Sequence, residues 1–165
     1  LRTIQSGGQT VVTSNYDSVQ WAKPPARFEG GLGNFSGMIA AGAAIDYLAK
    51  QDMDAVYEHE VKLNKIMTDG VKDLNGIEII GPEDASLRGG ICSLLMHDLP
   101  VHDTAILLDE AANVMVRSGQ HCVHSWFNSK GHVNGSLRAS AYMYNTEEEA
   151  KLFSDTLEEI VNAFS

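Results

Sequence analysis

The sequence predicts an α/β fold of the α+β kind, a small and mostly antiparallel sheet covered by helices. Three observations predict it. Two long stretches, at about 54–73 and 147–164, repeat their apolar residues at helical spacing. Gly90 to His97 is a continuous apolar run of strand length, as in a strand buried on both faces. Short strands alternate with these helices, in the order α-α-β-β-α-β-β-α, and such elements pack as a sheet against helices.

The first 35 residues differ from the rest. They are rich in Gly, Ser, Thr and Pro, with an apolar patch at Val11-Val12 and turn segments at Ser6-Gly7-Gly8-Gln9 and Phe28 to Asn34. A long irregular stretch is uncommon inside a self-contained domain. Residues 1–35 are therefore read as an arm that packs on something outside this chain, and residues 36–165 as the domain.

Ser36 is placed to cap a helix to about Gln51, with Met38, Ala41, Ile45 and Leu48 or Ala49 on one side and Gly42 allowing close packing there. The second helix, about Asp54 to Asp73, carries the stripe Val56, Leu63, Met67, Val71 and Leu74. Asn75-Gly76 turns the chain into a short strand, Ile77 to Gly81, which Pro82 ends. After the Gly90–His97 strand, Pro100 precedes a helix from His102 or Asp103 to Asn113. Val114 to Arg117 is read as a short strand, and Leu137 to Met143 as the third main strand. Thr146-Glu147-Glu148-Glu149 has the capping-box spacing and opens the last helix, with Ala150, Phe153, Leu157, Ile160 or Val161, and Phe164 facing inward.

Composition excludes some functions. The 12 Lys and Arg against 22 Asp and Glu give a net charge of −10, which argues against a nucleic-acid surface. No stretch approaches the ~20 apolar residues a bilayer demands, and no basic and apolar secretory leader opens the chain. Cys92 and Cys122 make no disulfide framework, and a reducing cytoplasm fits both. Cys92 lies in an apolar run and is read as a packing residue.

Cys122 is different. It follows Gly119 and His121, with Arg117 five residues upstream. The thiolate is the nucleophile, and nearby cations favour it. Arg138 sits within an apolar strand pattern, where a guanidinium needs an ion-pair partner or an opening onto a ligand. Its fork suits a small carboxylate. Arg117 is either a partner for a local carboxylate or a donor that shapes the loop. His121, Cys122, His124 and His132 could hold zinc, but their spacing matches no standard finger. Gly30, Gly31 and Gly33 before a helix resemble a phosphate-cradling turn.

Together these residues resemble the class V aminotransferase family, in the group II cysteine desulfurase and selenocysteine lyase branch. The landmarks are Ser6-Gly7-Gly8, Arg27 to Asn34, Ala43 to Leu48, Arg117 to Cys122, and Arg138-Ala139-Ser140 with Tyr144-Asn145-Thr146. Leu32 stands where the family commonly has Thr, and Gln120, Val123 and Ser125 vary the usual surroundings of the cysteine. The resemblance implies the C-terminal domain of a fold-type I enzyme using pyridoxal 5'-phosphate, homodimeric and acting on L-cysteine. Cys122 would take sulfur as a persulfide, Arg138 would clamp the substrate carboxylate, and Arg117 would shape or charge the loop. Gly31 would reach the cofactor phosphate of the neighbouring subunit, and Asn34 would be structural. The family's cofactor lysine, in a His-Lys pair, would precede Leu1, so the chain resembles the C-terminal part and lacks an N-terminal cofactor domain. Alone it would not turn over. A sulfur-acceptor protein, serving iron–sulfur cluster assembly, is the implied partner, with no role for nucleic acid or membrane. The alternatives are a selenocysteine lyase, another enzyme of the same cofactor, or a non-catalytic scaffold or metal-binding module.

Overall fold

The computed structural model describes residues 1–164. These form two compact units, Leu1–Gln51 and the residues from Asp52 on. The boundary falls later than residue 35, so the first helix groups with the preceding arm and not with the sheet. Its surface explains this: α1 (Phe35–Leu48) buries none of its residues. Gly42, read as a close-packing position, faces open space. Asn34, not Ser36, caps α1, accepting from the Gly37 amide at 3.0 Å.

In the first unit, β1 (Val11–Ser14) and β2 (Val19–Trp21) form an antiparallel hairpin in the stretch expected to be irregular. Its turn closes through the Asn15 amide, which donates to the Ser18 carbonyl at 2.8 Å. Thr10, fully buried, pins the preceding glycine turn: its hydroxyl donates to the Gly7 carbonyl at 2.7 Å and accepts from the Gly7 amide at 3.1 Å.

The second unit holds the core. Its sheet has strand order β3-β4-β6-β5, all neighbours antiparallel: β3 is Ile77–Ile79, β4 Ile91–Met96, β5 Arg117–Gly119 and β6 Ser136–Ser140. The expected mostly antiparallel sheet under helices is the observed one. Alternation divides its faces. Ile77, Ile79, Cys92, Leu94, Met96, Leu137 and Ala139 point into the core. There they meet α2 (Met53–Val71), α3 (Val101–Ala112) and α5 (Glu147–Phe164). The α2 stripe is as read: Leu63, Met67 and Val71, spaced by four, are buried. On α5, Ala150, Phe153, Leu157, Ile160 and Val161 are buried, whereas Phe164 is exposed. Each fully buried leucine contributes roughly 1.5–3 kcal/mol of transfer free energy. The capping box closes in both directions. The Glu149 amide donates to Thr146 Oγ1 at 3.2 Å, and the Thr146 amide donates to Glu149 Oε2 at 3.0 Å.

Two elements near residue 122 depart from expectation. The short strand expected from Val114 is β5, Arg117–Gly119, three residues beyond its expected start, because Val114 and Val116 pack against the core as a bridge from α3. A six-residue helix, α4 (His124–Ser129), follows the cysteine, and the sequence pattern does not predict it. Among the described residues no helix is long and apolar enough to cross a membrane.

Candidate active site

The strand register sets the site. Arg117 of β5 lies directly opposite Arg138 of β6, and Arg138 lies opposite Ser93 of β4 on its other side. The three form one row on the sheet face turned away from the core. Like charges directly opposite destabilise a sheet. Even so, among the described residues no carboxylate lies within ion-pair distance of either arginine. Arg138 is half-buried and its Nε is shielded from solvent without a hydrogen-bond partner. An unpartnered buried donor is unfavourable. A bound anion, above all a carboxylate that can fork onto a guanidinium, would satisfy both arginines at once. Both sequence alternatives, an ion pair for Arg138 and a local carboxylate for Arg117, are absent among the described residues.

The turn after β5 carries Cys122. Gly119 has φ 109°, and His121 and Cys122 also take left-handed backbone angles, 48° and 63°. Two consecutive non-glycine residues in this region are strained, and surrounding contacts must hold them. Those contacts are present. Gln120 Nε2 donates to Asn128 Oδ1 at 3.0 Å and to the Val133 carbonyl at 2.9 Å. His121 Nε2 lies 3.2 Å from the Ser136 carbonyl and 3.1 Å from Ser136 Oγ. At the base, Gly135, with φ 76°, lies so close to Gly119 that a Cβ there would meet the Gly119 carbonyl carbon at 2.1 Å.

A carbonyl can only accept, so His121 Nε2 carries the hydrogen and Nδ1 the lone pair. Nδ1 is buried and unpartnered. The imidazole pKa is lowered, first by burial and then by the positive charge of Arg138, with Arg117 adding to it and the bond to Ser136 opposing. His121 is therefore a neutral prop at neutral pH and lies within electrostatic reach of both arginines.

Cys122 itself is exposed and free. Cys92 is the opposite case, fully buried opposite Ala139, with its thiol pKa pushed up by burial. The two cysteines thus divide as read, one packed and one presented. His124 is exposed and His132 half-buried. Among the described residues no group of three or more His, Cys, Asp or Glu side chains converges as a metal site would. What sequence reading missed is α4, whose Trp126 stacks edge-on against buried Phe127 at 5.0 Å. A six-residue helix without a side-chain cap leaves too little pattern to detect.

In the first unit, Gly31 takes φ 102° and its amide donates to the Gly8 carbonyl at 3.0 Å. The Ser6-Gly7-Gly8 turn lies against it, since a Cβ on Gly7 would meet the Gly31 nitrogen at 3.2 Å. The two glycine landmarks of the sequence are one feature of the fold. The Gly31 amide is taken by Gly8, so the glycine serves the turn by its shape. Lys62, Lys65, Lys72 and Lys151 are ion-paired with Glu147, Asp69, Asp69 and Asp155 respectively.

The chain matches the profile of the aminotransferase class-V family over residues 1–153. It is 36% identical over 165 residues to a probable cysteine desulfurase of Methanothermobacter thermautotrophicus, an alignment covering 97% of this chain and 40% of that protein. It is also 36% identical over 157 residues to a probable cysteine desulfurase of Pyrococcus abyssi, covering 95% and 38%. Among solved structures, the apo cysteine desulfurase of Thermococcus onnurineus NA1 superposes with a TM-score of 0.84 at 34% identity, covering 95% of this chain and 38% of that one. A cysteine desulfurase of Escherichia coli, in its S-sulfonic acid form, superposes with a TM-score of 0.87; at 23% identity that likeness concerns the fold. The chain spans about 40% of the length of the curated relatives it matches.

Proposed function

Because the chain belongs to the class V aminotransferase family, we propose that it is the C-terminal part of a pyridoxal-phosphate-dependent cysteine desulfurase, with Cys122 receiving the sulfur. The observation that carries this reading is the pairing of an exposed, propped thiol with two facing arginines that hold no carboxylate of their own. A carboxylate clamp on the strands that flank the turn of a nucleophilic sulfur suits an amino acid that donates sulfur.

The residues present fit one part of such a site. Arg138 would fork onto the carboxylate of L-cysteine, and Arg117 would add charge from across the strand pair. Gly31 would keep the glycine turn open where the family approaches the cofactor phosphate, by shape and not through its own amide. When bound, pyridoxal phosphate supplies the electron sink that weakens the substrate Cβ–Sγ bond. On this reading the lysine that anchors it would lie outside these residues, and these residues alone would not turn over. The Cys122 thiolate would attack the substrate Sγ; the new S–S bond would form as Cβ–Sγ breaks, the electron pair of the broken bond would go to the Cβ side and a proton, equivalent to the one the thiol gave up, would be added at Cβ, leaving alanine and a persulfide on Cys122. A homodimeric cytoplasmic enzyme supplying sulfur for iron–sulfur clusters is the setting that this reading implies. Selenocysteine is the neighbouring substrate, differing by one atom at the point of attack.

The test is a Cys122→Ser substitution in the full-length protein. Persulfide on the enzyme, read by mass spectrometry after incubation with L-cysteine, should vanish and alanine formation should collapse. Undiminished alanine formation would overturn the role of Cys122.

A further inference from the structure

The chain contains two Asn-Gly pairs, Asn75-Gly76 and Asn134-Gly135. Asparagine is chemically labile, and most so before glycine, which has no Cβ to keep its own nitrogen from the preceding side chain. The reaction needs a glycine N–H that is free to lose its proton and a peptide that can rotate toward the asparagine Cγ. Both asparagines are exposed, so exposure does not distinguish the pairs. Their backbones do.

At the second pair neither condition holds. Gly135 is buried, its amide donates to the His132 carbonyl at 2.9 Å, and its packing against the Gly119 backbone leaves no space for a Cβ. At the first pair both hold. The Gly76 amide has no acceptor among the described residues. Asn75 and Gly76 are the central residues of the turn from α2 to β3. That turn closes through the Ile77 amide, which donates to the Leu74 carbonyl at 3.4 Å, a long and weak bond. Gly76 has φ 72°, a region that glycine leaves and re-enters at little cost.

We propose that Asn75 is a site of spontaneous deamidation, with isoaspartate among its products, and that the conversion loosens the edge strand β3. The Gly76 nitrogen gives its proton to solvent and attacks Asn75 Cγ. The new N–Cγ bond closes a succinimide ring, the Cγ–Nδ2 bond breaks, and Nδ2 takes up a proton and leaves as ammonia. Water then opens the ring. Addition at Cγ gives aspartate, and addition at the former main-chain carbonyl gives isoaspartate. Water is the sole co-reactant, and nothing is oxidised or reduced. Isoaspartate routes the main chain through the old side chain and lengthens it by a carbon, two residues before β3 begins. The Gly76 carbonyl accepts from the His97 amide at 2.8 Å, next to the Ile77–Met96 pair that begins the β3–β4 ladder, and β3 pairs with β4 alone. A strand held on one side has no second partner to keep its register. The new carboxylate also arises near Asp98, whose side chain fills the space where a Cβ on Gly76 would go, and the like charges repel. None of this depends on the role of Cys122, because β3 is the strand farthest from β5.

Ageing the folded full-length protein at mildly alkaline pH, with peptide mapping by mass spectrometry at successive times, tests this. The peptide holding Asn75 should gain one mass unit about 10-fold or more faster than the peptide holding Asn134, because Gly135 must first open. In urea concentrated enough to unfold the protein the two rates should converge. A protein isoaspartate methyltransferase supplied with labelled S-adenosylmethionine should methylate the aged protein; Asn75→Gln should remove most of that label, and Asn134→Gln should leave it. Equal conversion of the two pairs in the folded protein, faster conversion of Asn134, or a label unchanged by Asn75→Gln would overturn the site. In the converted protein the amides of β3 should exchange with deuterium about 10-fold or more faster than in the fresh protein. Unaltered exchange there would overturn the loosening of the strand.

Discussion

Arg117 and Arg138 face each other across β5 and β6, with no carboxylate within ion-pair distance of either among the described residues. Such a pair is a standing repulsion in the free protein and an attraction for any small carboxylate that enters. Arg117→Gln should therefore raise stability by about 0.2–1 kcal/mol at low salt, with the gain shrinking as salt screens the repulsion. Urea unfolding at two ionic strengths checks it; a loss of stability would mean the pair is internally satisfied.

Arg138→Lys keeps the charge and removes the fork. In the full-length protein it should raise KM for L-cysteine by about 10-fold or more, the loss of one charge-assisted hydrogen bond. Steady-state kinetics that leave KM unchanged would place the carboxylate elsewhere.

Thiol titration should resolve two classes. Cys122 is exposed and Cys92 is sealed beneath the helices with its pKa raised. Under native conditions one thiol should react quickly and the other only on unfolding. Cys122→Ser should delete the quick phase, and a quick phase that survives would belong to Cys92.

His121 gives the Cys122 turn a pH dependence. Its folded pKa lies below the ordinary 6.5, through burial first and then Arg138. The unfolded chain therefore takes up the proton first as pH falls. The stability that neutral His121 contributes is present above its unfolded pKa and is lost as pH falls through the folded value. His121→Gln should flatten the stability profile on the acid side of neutrality, as followed by thermal melts across that range. An unchanged slope would mean the ring is not the titrating group.

Gly135→Ala should be among the most damaging single changes in the chain. The added Cβ meets the Gly119 backbone at 2.1 Å, and the position needs φ 76°. The left-handed angle alone disfavours alanine by about 1–2 kcal/mol, and the backbone clash adds to it. Chemical denaturation should show a loss above ~2 kcal/mol, together with altered reactivity of Cys122.

Much of the fold was legible because it rests on local signals. The Leu63, Met67, Val71 spacing and the Thr146–Glu149 box each identify a helix from residues within a few turns. Other parts depended on contacts across the chain. The β1–β2 hairpin has a register irregularity between Val11 and Thr13 and no residue buried on its strands, so it showed no clean alternation. The facing of Arg117 and Arg138 is a matter of register, which the 20 residues between them set. Cys122 stood out by its neighbours in sequence. The reason it is held, the latch from His121 in the turn to Ser136 on β6, is invisible until β5 and β6 pair.

The backbone angle of 63° at Cys122 has a stereochemical corollary. It lies in the mirror-image half of conformational space, where a residue of opposite handedness is at ease. A chemically ligated protein with D-cysteine at this position should keep its turn, and with less strain, while projecting the sulfur along a different vector. Handedness at a single carbon would then separate how the loop is folded from where its nucleophile is aimed.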